Sequence, residues 1–385
     1  MCKPPRICTS VPTIRRMTQP SYFARPMHEA LALAERAIGL SDPNPRVGCI
    51  ITAPDGRVIG RGHTQRAGEA HAEAMALRDA SANGERVAGA TVYVTLEPCL
   101  HHGRTPPCCD ALIEAGVARV VLALHDPNPL VAGQGAARLR AAGITVEEGP
   151  LAAESRELNI GFFSRMERGR PWVRLKAAIS LDGRTALMNG QSQWITGEAA
   201  RIDGHAWRKR AGAILTGVGT VLEDDPRLDV RLVSTDLQPL RVIVDSRLQT
   251  PVSARMLAPP GQVLIYAAER SASLQAALED RGVEIAYAPG ASGKVDLVAM
   301  LADLARRGIN ELHVEAGHKL NGSFVREGLV DEYLIYMAPT LLGVGRELAA
   351  FGPLDQLGEA PKLVFNDWTA LGKDLRILAR AALPT

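Results

Sequence analysis

The chain has 385 residues, more than one ordinary hydrophobic core supports, so two domains are expected. Its 46% hydrophobic and 22% charged residues are typical of a globular protein. A net charge of +2 and an aromatic share of 4% argue against a nucleic-acid-binding surface, and no apolar run approaches the length of a membrane-spanning helix.

Residues 1–25 are basic and interrupted by prolines, and they lack the apolar stretch of a secretory signal. We interpret them as a flexible N-terminal tail; an organelle presequence, suggested by arginine without acidic residues, is the weaker alternative. The cysteines stand at positions 2, 8, 49, 99, 108 and 109. This uneven spacing favours a reduced cytoplasmic protein with a metal site over a disulfide framework.

The following part of the chain, 26–168, is predicted to form one α/β domain, because segments with helical and strand periodicity alternate between turn residues. Its predicted elements are a helix over 27–38, strands over 47–53 and 57–63, a helix over 72–82, a strand over 91–98, alternating helices and strands over 109–149, and one long helix over 151–169.

A second α/β domain, 169–385, is predicted to begin near Arg170-Pro171-Trp172. Strands again alternate with helices, so we expect a separate sheet. The predicted elements are a strand over 172–180, a helix over 197–212, a strand over 213–222, and further strands over 240–246, 262–268, 311–317 and 332–340.

Four residues of the first domain form the pattern of a catalytic zinc site. His71 offers an imidazole ligand, and Cys99 and Cys108 offer thiolates, which leaves the fourth position of zinc open for water. Zinc lowers the pKa of its bound water to about 7, and Glu73 can carry protons from that water to a leaving amine. His-x-Glu followed by Glu-Pro-Cys and a further cysteine predicts a nucleobase deaminase.

The segment between the two cysteine ligands departs from the generic signature. Eight residues, LHHGRTPP, separate Cys99 from Cys108, where the generic pattern has two. Cys109 competes with Cys108 for the metal, but adjacent helical residues point about 100° apart, so one of them reaches it and we favour Cys108. Three side chains of the segment could contact substrate: His101, His102 and Arg104.

The second domain lacks the Gly-x-Gly-x-x-Gly turn of a standard dinucleotide-binding fold. Two other glycine turns follow predicted strands, Gly217-Val218-Gly219-Thr220 and Glu315-Ala316-Gly317-His318. Glycine lets a phosphate approach backbone amides, and a helix start favours the anion. Either turn could therefore bind a phosphate, although each is also compatible with ordinary loop chemistry.

Eight stretches of the chain carry longer motifs. In the first domain they are PNPRVG at 43–48, HAE at 71–73 and TLEPCLHHGRTPPC at 95–108. In the second they are KAAISLDGR at 176–184, QSQWIT at 191–196, LTGVGTVLEDDP at 215–226, VDS at 244–246 and VEAG at 314–317. Together they resemble the bifunctional deaminase/reductase family of riboflavin biosynthesis, with Leu100 in place of a small polar residue.

This resemblance implies a cytidine-deaminase-like three-layer domain followed by a dihydrofolate-reductase-like domain. It implies deaminase substrate contacts from Asn44, His63, His101 and Arg104. It implies NADPH contacts from Ala178, Trp194, Thr220, Ser246, Gly317, His318, Lys319, Leu320 and Asn321. It implies contacts to the reductase substrate from Lys176, Ser192, Arg208, Asp224, Arg231 and Glu315.

The reaction implied for the second domain is reduction of a ribosyl group to a ribityl chain, with hydride passing from the nicotinamide to C1 of the sugar. Arg208 and Arg231 could hold the phosphate of such a substrate bidentately. Lys176, Asp224 and Glu315 are the candidates for proton handling.

Our leading hypothesis is a cytoplasmic, homo-oligomeric (dimeric or tetrameric) enzyme that uses Zn²⁺ and NADPH on small sugar-phosphate pyrimidines. One alternative is a deaminase of another base, of the tRNA adenosine or cytidine type, whose second domain lacks reductase activity. The near-neutral charge and few aromatic residues argue against it. A second alternative is a catalytically dead binding protein, but Glu73 and the three zinc ligands are intact.

Overall fold

The computed structural model describes residues 24–100, 107–129, 132–258 and 260–382. A sheet with strand order β2-β1-β3-β4-β5 forms the centre of the first domain. The strands are β1 (Gly48–Thr52), β2 (Val58–His63), β3 (Thr91–Val94), β4 (Arg119–Leu122) and β5 (Thr145–Glu148). The helices are α1 (Ala24–Glu35), α2 (Ala72–Ala82), α3 (Cys108–Glu114), α4 (Gln134–Ala141), α5 (Ala152–Leu158) and α6 (Ile160–Arg168).

Helices cover both faces of this sheet, which gives the domain three layers. The strand β1 is buried along its whole length and alternates between two cores. Ile50 packs with Met27 of α1 on one face, whereas Ile51 packs with Ala76 of α2 and Leu112 of α3 on the other. β1 is antiparallel to both neighbours, and β3, β4 and β5 are parallel to one another.

Two helix predictions in this domain are wrong in their bounds. α1 begins at Ala24, three residues earlier than predicted, because Pro26 lies in the first turn, where its missing N–H has no helical partner to lose. The single helix predicted over 151–169 is broken at Asn159. The Asn159 carboxamide accepts a hydrogen bond from the Arg46 amide (2.7 Å) and donates one to the Arg46 carbonyl (2.9 Å).

The second domain is built on a sheet with strand order β11-β10-β9-β8-β12-β6-β13-β16-β15. The strands are β6 (Trp172–Ser180), β7 (Arg184–Leu187), β8 (Ala213–Gly217), β9 (Leu240–Val244), β10 (Val263–Ala267), β11 (Val283–Tyr287), β12 (Glu311–Val314), β13 (Glu332–Ala338), β14 (Gly345–Glu347), β15 (Leu363–Leu371) and β16 (Asp374–Ala381). The helices are α7 (Glu198–Arg210), α8 (Val218–Asp224), α9 (Ala272–Glu279), α10 (Leu297–Arg306) and α11 (His318–Arg326), with short 3₁₀ turns at Arg255–Leu257 and Leu357–Glu359.

Most of this sheet is parallel, and the hairpin formed by β15 and β16 adds an antiparallel edge. The strand predicted over 213–222 is wrong beyond Gly217, because α8 begins at Val218. Val221 of α8 packs beside Ile214 of β8, so the apolar residues after Gly217 form a helix face that contacts the sheet rather than a longer strand.

A buried charge cluster joins the two domains. Glu311, the first residue of β12, accepts hydrogen bonds from three arginines: Arg46 of the first domain (2.7 Å), Arg174 (2.9 Å) and Arg210 (2.9 Å). α6 approaches the same point so closely that a Cβ on Gly161 would lie 2.4 Å from Cγ of Glu311. The position of one domain on the other therefore depends on pairing these charges.

Burial alone would raise the pKa of Glu311, but Arg210, Arg46 and Arg174 together hold it far below its usual value. We expect Glu311→Gln to lower the free energy of unfolding by about 3–5 kcal/mol, since it leaves Arg210 without a carboxylate and removes one of the two carboxylate partners of Arg46 and of Arg174. The depressed pKa means that the wild-type stabilisation is complete above about pH 4.3 and is lost as the pH falls toward the folded pKa. Urea unfolding at pH 7 and at about pH 3, inside this window, measures both effects.

The matched control is Glu284→Gln, which breaks the exposed ion pair of Glu284 with Arg307. It should cost less than about 1 kcal/mol. Equal losses in the two variants would contradict a special contribution of the buried cluster.

Candidate active sites

Three side chains of the first domain bring metal-donor atoms together. The donor atoms of His71, Cys99 and Cys108 all lie within 4.8 Å of one another. Nδ1 of His71 is 3.5 Å from Sγ of Cys99 and 3.4 Å from Sγ of Cys108. One imidazole nitrogen and two sulfurs are the donor types that zinc prefers, and three protein ligands leave a fourth position for water. The residues therefore fit a catalytic zinc ion.

Helix starts position this donor cluster. His71 immediately precedes α2, and Cys108 is the first residue of α3. A Cβ on Gly62 would lie 2.1 Å from the carbonyl oxygen of Ala72, so glycine is what lets β2 pass this close to the start of α2. Hydrogen bonding to Cys108, helped by His71, lowers the pKa of the Cys99 thiol to about 4. Helix N-termini also favour thiolates.

Cys109 faces away from the donor cluster. Its Sγ lies 3.3 Å from the carbonyl oxygen of Pro98 and 3.6 Å from that of Gly135. Burial raises the pKa of the Cys109 thiol to about 12, which disfavours the thiolate that a metal requires. The geometry thus brings Cys108, the residue favoured from sequence, to the other donors.

The sequence did not reveal the part played by Glu97. Its side chain is fully buried, and its carboxylate accepts hydrogen bonds from the backbone amides of Asp126, Gly133 and Ala136 at 2.9–3.2 Å. These bonds tie the segment that carries Cys99 to the loop after β4 and to the first turn of α4. The Glu-Pro-Cys motif contains this residue, but the motif alone does not say whether the carboxylate serves the fold or the chemistry.

A pocket of about 520 Å³ opens beside the donor cluster. Asn44, His71, Glu73 and Cys99 line it, and α6 contributes further lining residues: Phe162, Arg165 and Met166. Burial, reinforced by the charge of Cys99, raises the pKa of Glu73 to about 7. A carboxyl that exchanges protons near neutral pH suits a general acid and base.

Of the other predicted substrate contacts, one does not line this pocket and two lie outside the described residues, as does His102. His63 ends β2 and is half-buried, and it is not among the lining residues. Burial lowers the pKa of the His63 imidazole, and the charge of Arg36 adds to this effect. His101, His102 and Arg104 lie outside the described residues. The α6 residues were not predicted, because their link to the pocket depends on the fold.

A larger cleft of about 970 Å³ lies in the second domain, at the carboxyl ends of parallel strands. Ligands of open α/β sheets bind in such crevices. Both glycine turns meet in it, and six predicted cofactor contacts line it: Thr220, Ser246, Gly317, His318, Lys319 and Leu320. The cleft is therefore suited to the phosphates of a nucleotide.

Three predicted cofactor contacts are not among the residues that line this cleft. Asn321 is buried and donates a hydrogen bond to the Leu348 carbonyl (2.9 Å). Trp194 is 67% exposed. Ala178 is half-buried in β6, two residues before the carboxyl end of the strand.

Predicted substrate contacts of the reductase converge on Glu315. Arg208 binds its carboxylate bidentately, with N···O distances of 2.5 and 2.9 Å, and Nζ of Lys176 is 3.6 Å away. Burial would raise the pKa of Glu315, but Arg208 and Lys176 hold it well below its usual value. Arg231 instead pairs with Asp229 (2.5 Å).

Asp224 and Ser192 lie elsewhere in the second domain. Asp224 ends α8, where burial, with Glu223 adding to it, raises the pKa of its carboxyl. Ser192 lies in the loop after β7 and is half-buried. Neither is hydrogen-bonded to Glu315 among the residues that the structure describes.

A three-layer domain with a His-Cys-Cys cluster beside a buried glutamate, joined to an α/β domain with a phosphate-suited cleft, defines a zinc-type deaminase fused to a reductase. Residues 21–124 match the family model of the cytidine and deoxycytidylate deaminase zinc-binding region, and residues 171–377 match that of the RibD C-terminal domain. The chain belongs to the family of bifunctional deaminase/reductases of riboflavin biosynthesis.

Relatives of known name extend over nearly the whole chain. The riboflavin biosynthesis protein RibD of Escherichia coli is 45% identical over 370 residues, which cover 93% of this chain and 98% of the relative. A solved structure of Acinetobacter baumannii RibD is 41% identical, with a TM-score of 0.85 over 94% of this chain and 99% of the other. The deaminase/reductase structure from Thermotoga maritima is 32% identical, with a TM-score of 0.83 over the same shares.

These comparisons confirm the predicted resemblance, the two-domain α/β fold and the paired deaminase and reductase activities. They support zinc in the first domain and a nucleotide cofactor in the second. A deaminase of another base with an inactive second domain is not favoured. Within the described part of the chain, no helix is both long and apolar enough to span a bilayer.

The two adjacent cysteines make the donor assignment testable. We expect Cys108→Ser to lose most of its bound zinc, because a thiolate donor is removed, whereas Cys109→Ser keeps it, since that sulfur faces backbone carbonyls. Zinc content by elemental mass spectrometry on the folded variants measures this. Equal zinc loss in both variants would contradict the assignment.

Proposed function

We propose that the first domain deaminates 2,5-diamino-6-(5-phosphoribosylamino)pyrimidin-4-one and that the second reduces the ribosyl group of the product to ribityl with NADPH. The observation that carries this is the His71, Cys99 and Cys108 cluster beside buried Glu73, in a pocket large enough for a pyrimidine. The Thermotoga maritima relative carries both activities in its name, as a diaminohydroxyphosphoribosylaminopyrimidine deaminase and 5-amino-6-(5-phosphoribosylamino)uracil reductase.

In the proposed deaminase site, zinc held by His71, Cys99 and Cys108 would make a water molecule nucleophilic near neutral pH. Glu73 takes a proton from that water and returns it to the departing nitrogen, so the ring carbon gains oxygen and ammonia leaves. Asn44 lines the same pocket and offers a carboxamide that can hydrogen-bond the pyrimidine edge.

In the proposed reductase site, the glycine turns at Gly217 and Gly317 would hold the phosphates of NADPH, and the cofactor would supply the hydride. Lys176 and Glu315 are the favoured proton-handling pair, because they lie 3.6 Å apart at the end of β12. Asp224 forms no ion pair with either within the described ranges, which makes it the weaker candidate.

We also propose that the chain forms homo-oligomers through the outer strand β15. Four large side chains of this strand are exposed: Leu363, Val364, Phe365 and Trp368. In the described part of the chain β15 is the edge of its sheet, which leaves its outer backbone groups able to pair with another strand. An apolar edge strand of this kind favours burial against another copy.

A division of the chain at 168/169 and a cytoplasmic setting complete the proposal. The division is supported by α6, which ends at Arg168, and β6, which opens the second sheet at Trp172. The cysteines among the described residues are free thiols, and two of them are proposed zinc ligands. Thiols persist in a reducing compartment.

Glu73→Gln separates the two activities. The variant should retain zinc but lose ammonia release, because the amide cannot shuttle the proton. Supplied with the deaminated substrate, it should oxidise NADPH at the wild-type rate, since the second cleft is untouched. Ammonia release and absorbance of NADPH are the two measurements. Retained ammonia release would refute the role of Glu73, and absence of NADPH oxidation in the wild type would refute the reductase assignment.

The lining of the large cleft predicts selectivity for the phosphorylated cofactor. Lys294 and Lys319 line it, and neither forms an ion pair among the residues described. We expect Lys294→Gln with Lys319→Gln to raise the KM for NADPH by about tenfold or more, because charge-assisted bonds to the 2′-phosphate are lost. NADH, which lacks this phosphate, is the internal control. An equal rise for both cofactors would count against this assignment.

A further inference from the structure

Arg165 is a cation that α6 places at the wall of the deaminase pocket. It lines the pocket together with Asn44 and His71. Its Nε donates a hydrogen bond to Oδ1 of Asn310 (2.7 Å), and its Nη2 donates one to the Pro43 carbonyl (3.1 Å). These bonds fix the guanidinium group and use two of its five N–H donors, and among the described residues no hydrogen bond engages the other three.

The charge of Arg165 is not matched by an ion pair in the described part of the chain, where both of its hydrogen bonds go to uncharged oxygens. Neighbouring arginines differ in this respect. Arg46 pairs with a buried glutamate, and Arg168 and Arg170 both pair with Asp331. The carboxylate of Asp42 acts on Arg165 electrostatically, but it is paired with Arg46 at 3.5 Å and forms no ion pair with Arg165 in the described part of the chain. An anion that binds Arg165 therefore displaces no carboxylate.

The proposed deaminase substrate supplies such an anion. Its pyrimidine must lie against Glu73 and the zinc donors for the amine to be replaced, so the ribosyl phosphate extends toward another wall of the pocket. We propose that Arg165 binds this phosphate and that Asn310, from the second domain, holds the guanidinium in position. This inference rests on the proposed substrate, and a guanidinium group is well matched to phosphate oxygens.

Asn310 also forms hydrogen bonds to the loop of the first domain that precedes β1. Its Nδ2 donates hydrogen bonds to Oδ1 of Asp42 (2.9 Å) and to the Pro43 carbonyl (3.0 Å). Asn44, the next residue, lines the pocket. One carboxamide of the second domain thus positions both the cation and the loop of the deaminase pocket, so deaminase substrate binding depends on the presence of the reductase domain.

The first test is Arg165→Gln, with ammonia release measured for the phosphorylated substrate and for the same ribosylaminopyrimidine without its phosphate. For the phosphorylated substrate, KM should rise about 10- to 100-fold, the worth of a charge-assisted hydrogen bond, while kcat stays close to the wild-type value. For the substrate without phosphate, KM should equal that of the wild type. Zinc content and urea unfolding verify that the variant is folded.

Arg168→Gln is the matched control, because Arg168 lies one turn further along α6 and pairs with Asp331 at the domain interface. It should change neither KM. With the wild type active, an equal KM rise of Arg165→Gln for both substrates, or no rise at all, would overturn this assignment alone. A wild type that releases no ammonia from either substrate would overturn the proposed deaminase function along with it.

Asn310→Ala tests the positioning role. It should raise the deaminase KM for the phosphorylated substrate by about 2- to 10-fold, the worth of a neutral hydrogen bond, and leave the KM for the substrate without phosphate unchanged. Reductase turnover, measured with deaminated substrate, should stay at the wild-type value, whereas general damage to β12 would lower it. An unchanged deaminase KM, or parallel losses in both activities, would overturn the positioning role.

Discussion

The burial of Glu311 among three arginines is the constraint on which the arrangement of both domains depends. Arg174 extends this cluster to Glu332 (2.5 Å), and Glu332 in turn binds Arg380 (2.8 Å). Each buried charge requires a partner, because leaving one unpaired costs several kcal/mol, about 3–5 in measured cases. A displacement of one domain along the other would separate Arg46 from its carboxylate. Charge pairing therefore helps to select the docked arrangement.

The buried Glu311 is the first residue of β12, and this strand links the two sites. The strand has four residues and spans about 13 Å. Glu311 at its beginning and Asn310 just before it contact Arg46 and the pocket loop of the first domain. Just beyond its end, Glu315 pairs with Lys176 and Arg208, and Gly317 lines the cleft of the second domain. Residues of both sites thus lie at the two ends of a single strand in the centre of a sheet. Sheet strands are the least deformable parts of a domain.

Sequence reasoning succeeded where chemistry is encoded by residue type at short spacing. His71, Cys99 and Cys108 could be singled out because few functions other than metal binding need those donors in that order. It failed where contacts join distant parts of the chain. Arg46 and Glu311 are 265 positions apart, and the break at Asn159 depends on a bond to Arg46, so no local periodicity reports either. The β15–β16 hairpin escaped prediction because β15 is largely exposed and lacks a clear alternation.

Arginines are the residues whose partners are hardest to predict from this sequence. A guanidinium group suits carboxylate and phosphate equally well, and its position in the sequence does not reveal which of them it binds. Arg208, expected to clamp a phosphate, has its fork on Glu315 and its remaining nitrogen on the Asp229 carbonyl, so a phosphate there must compete with bonds already formed. Arg165, which the sequence does not single out, is hydrogen-bonded to neutral oxygens. A phosphate could therefore bind it without first displacing a carboxylate. In this chain the partner already present, rather than the residue type, separates an arginine that supports the fold from one that is free to bind a ligand.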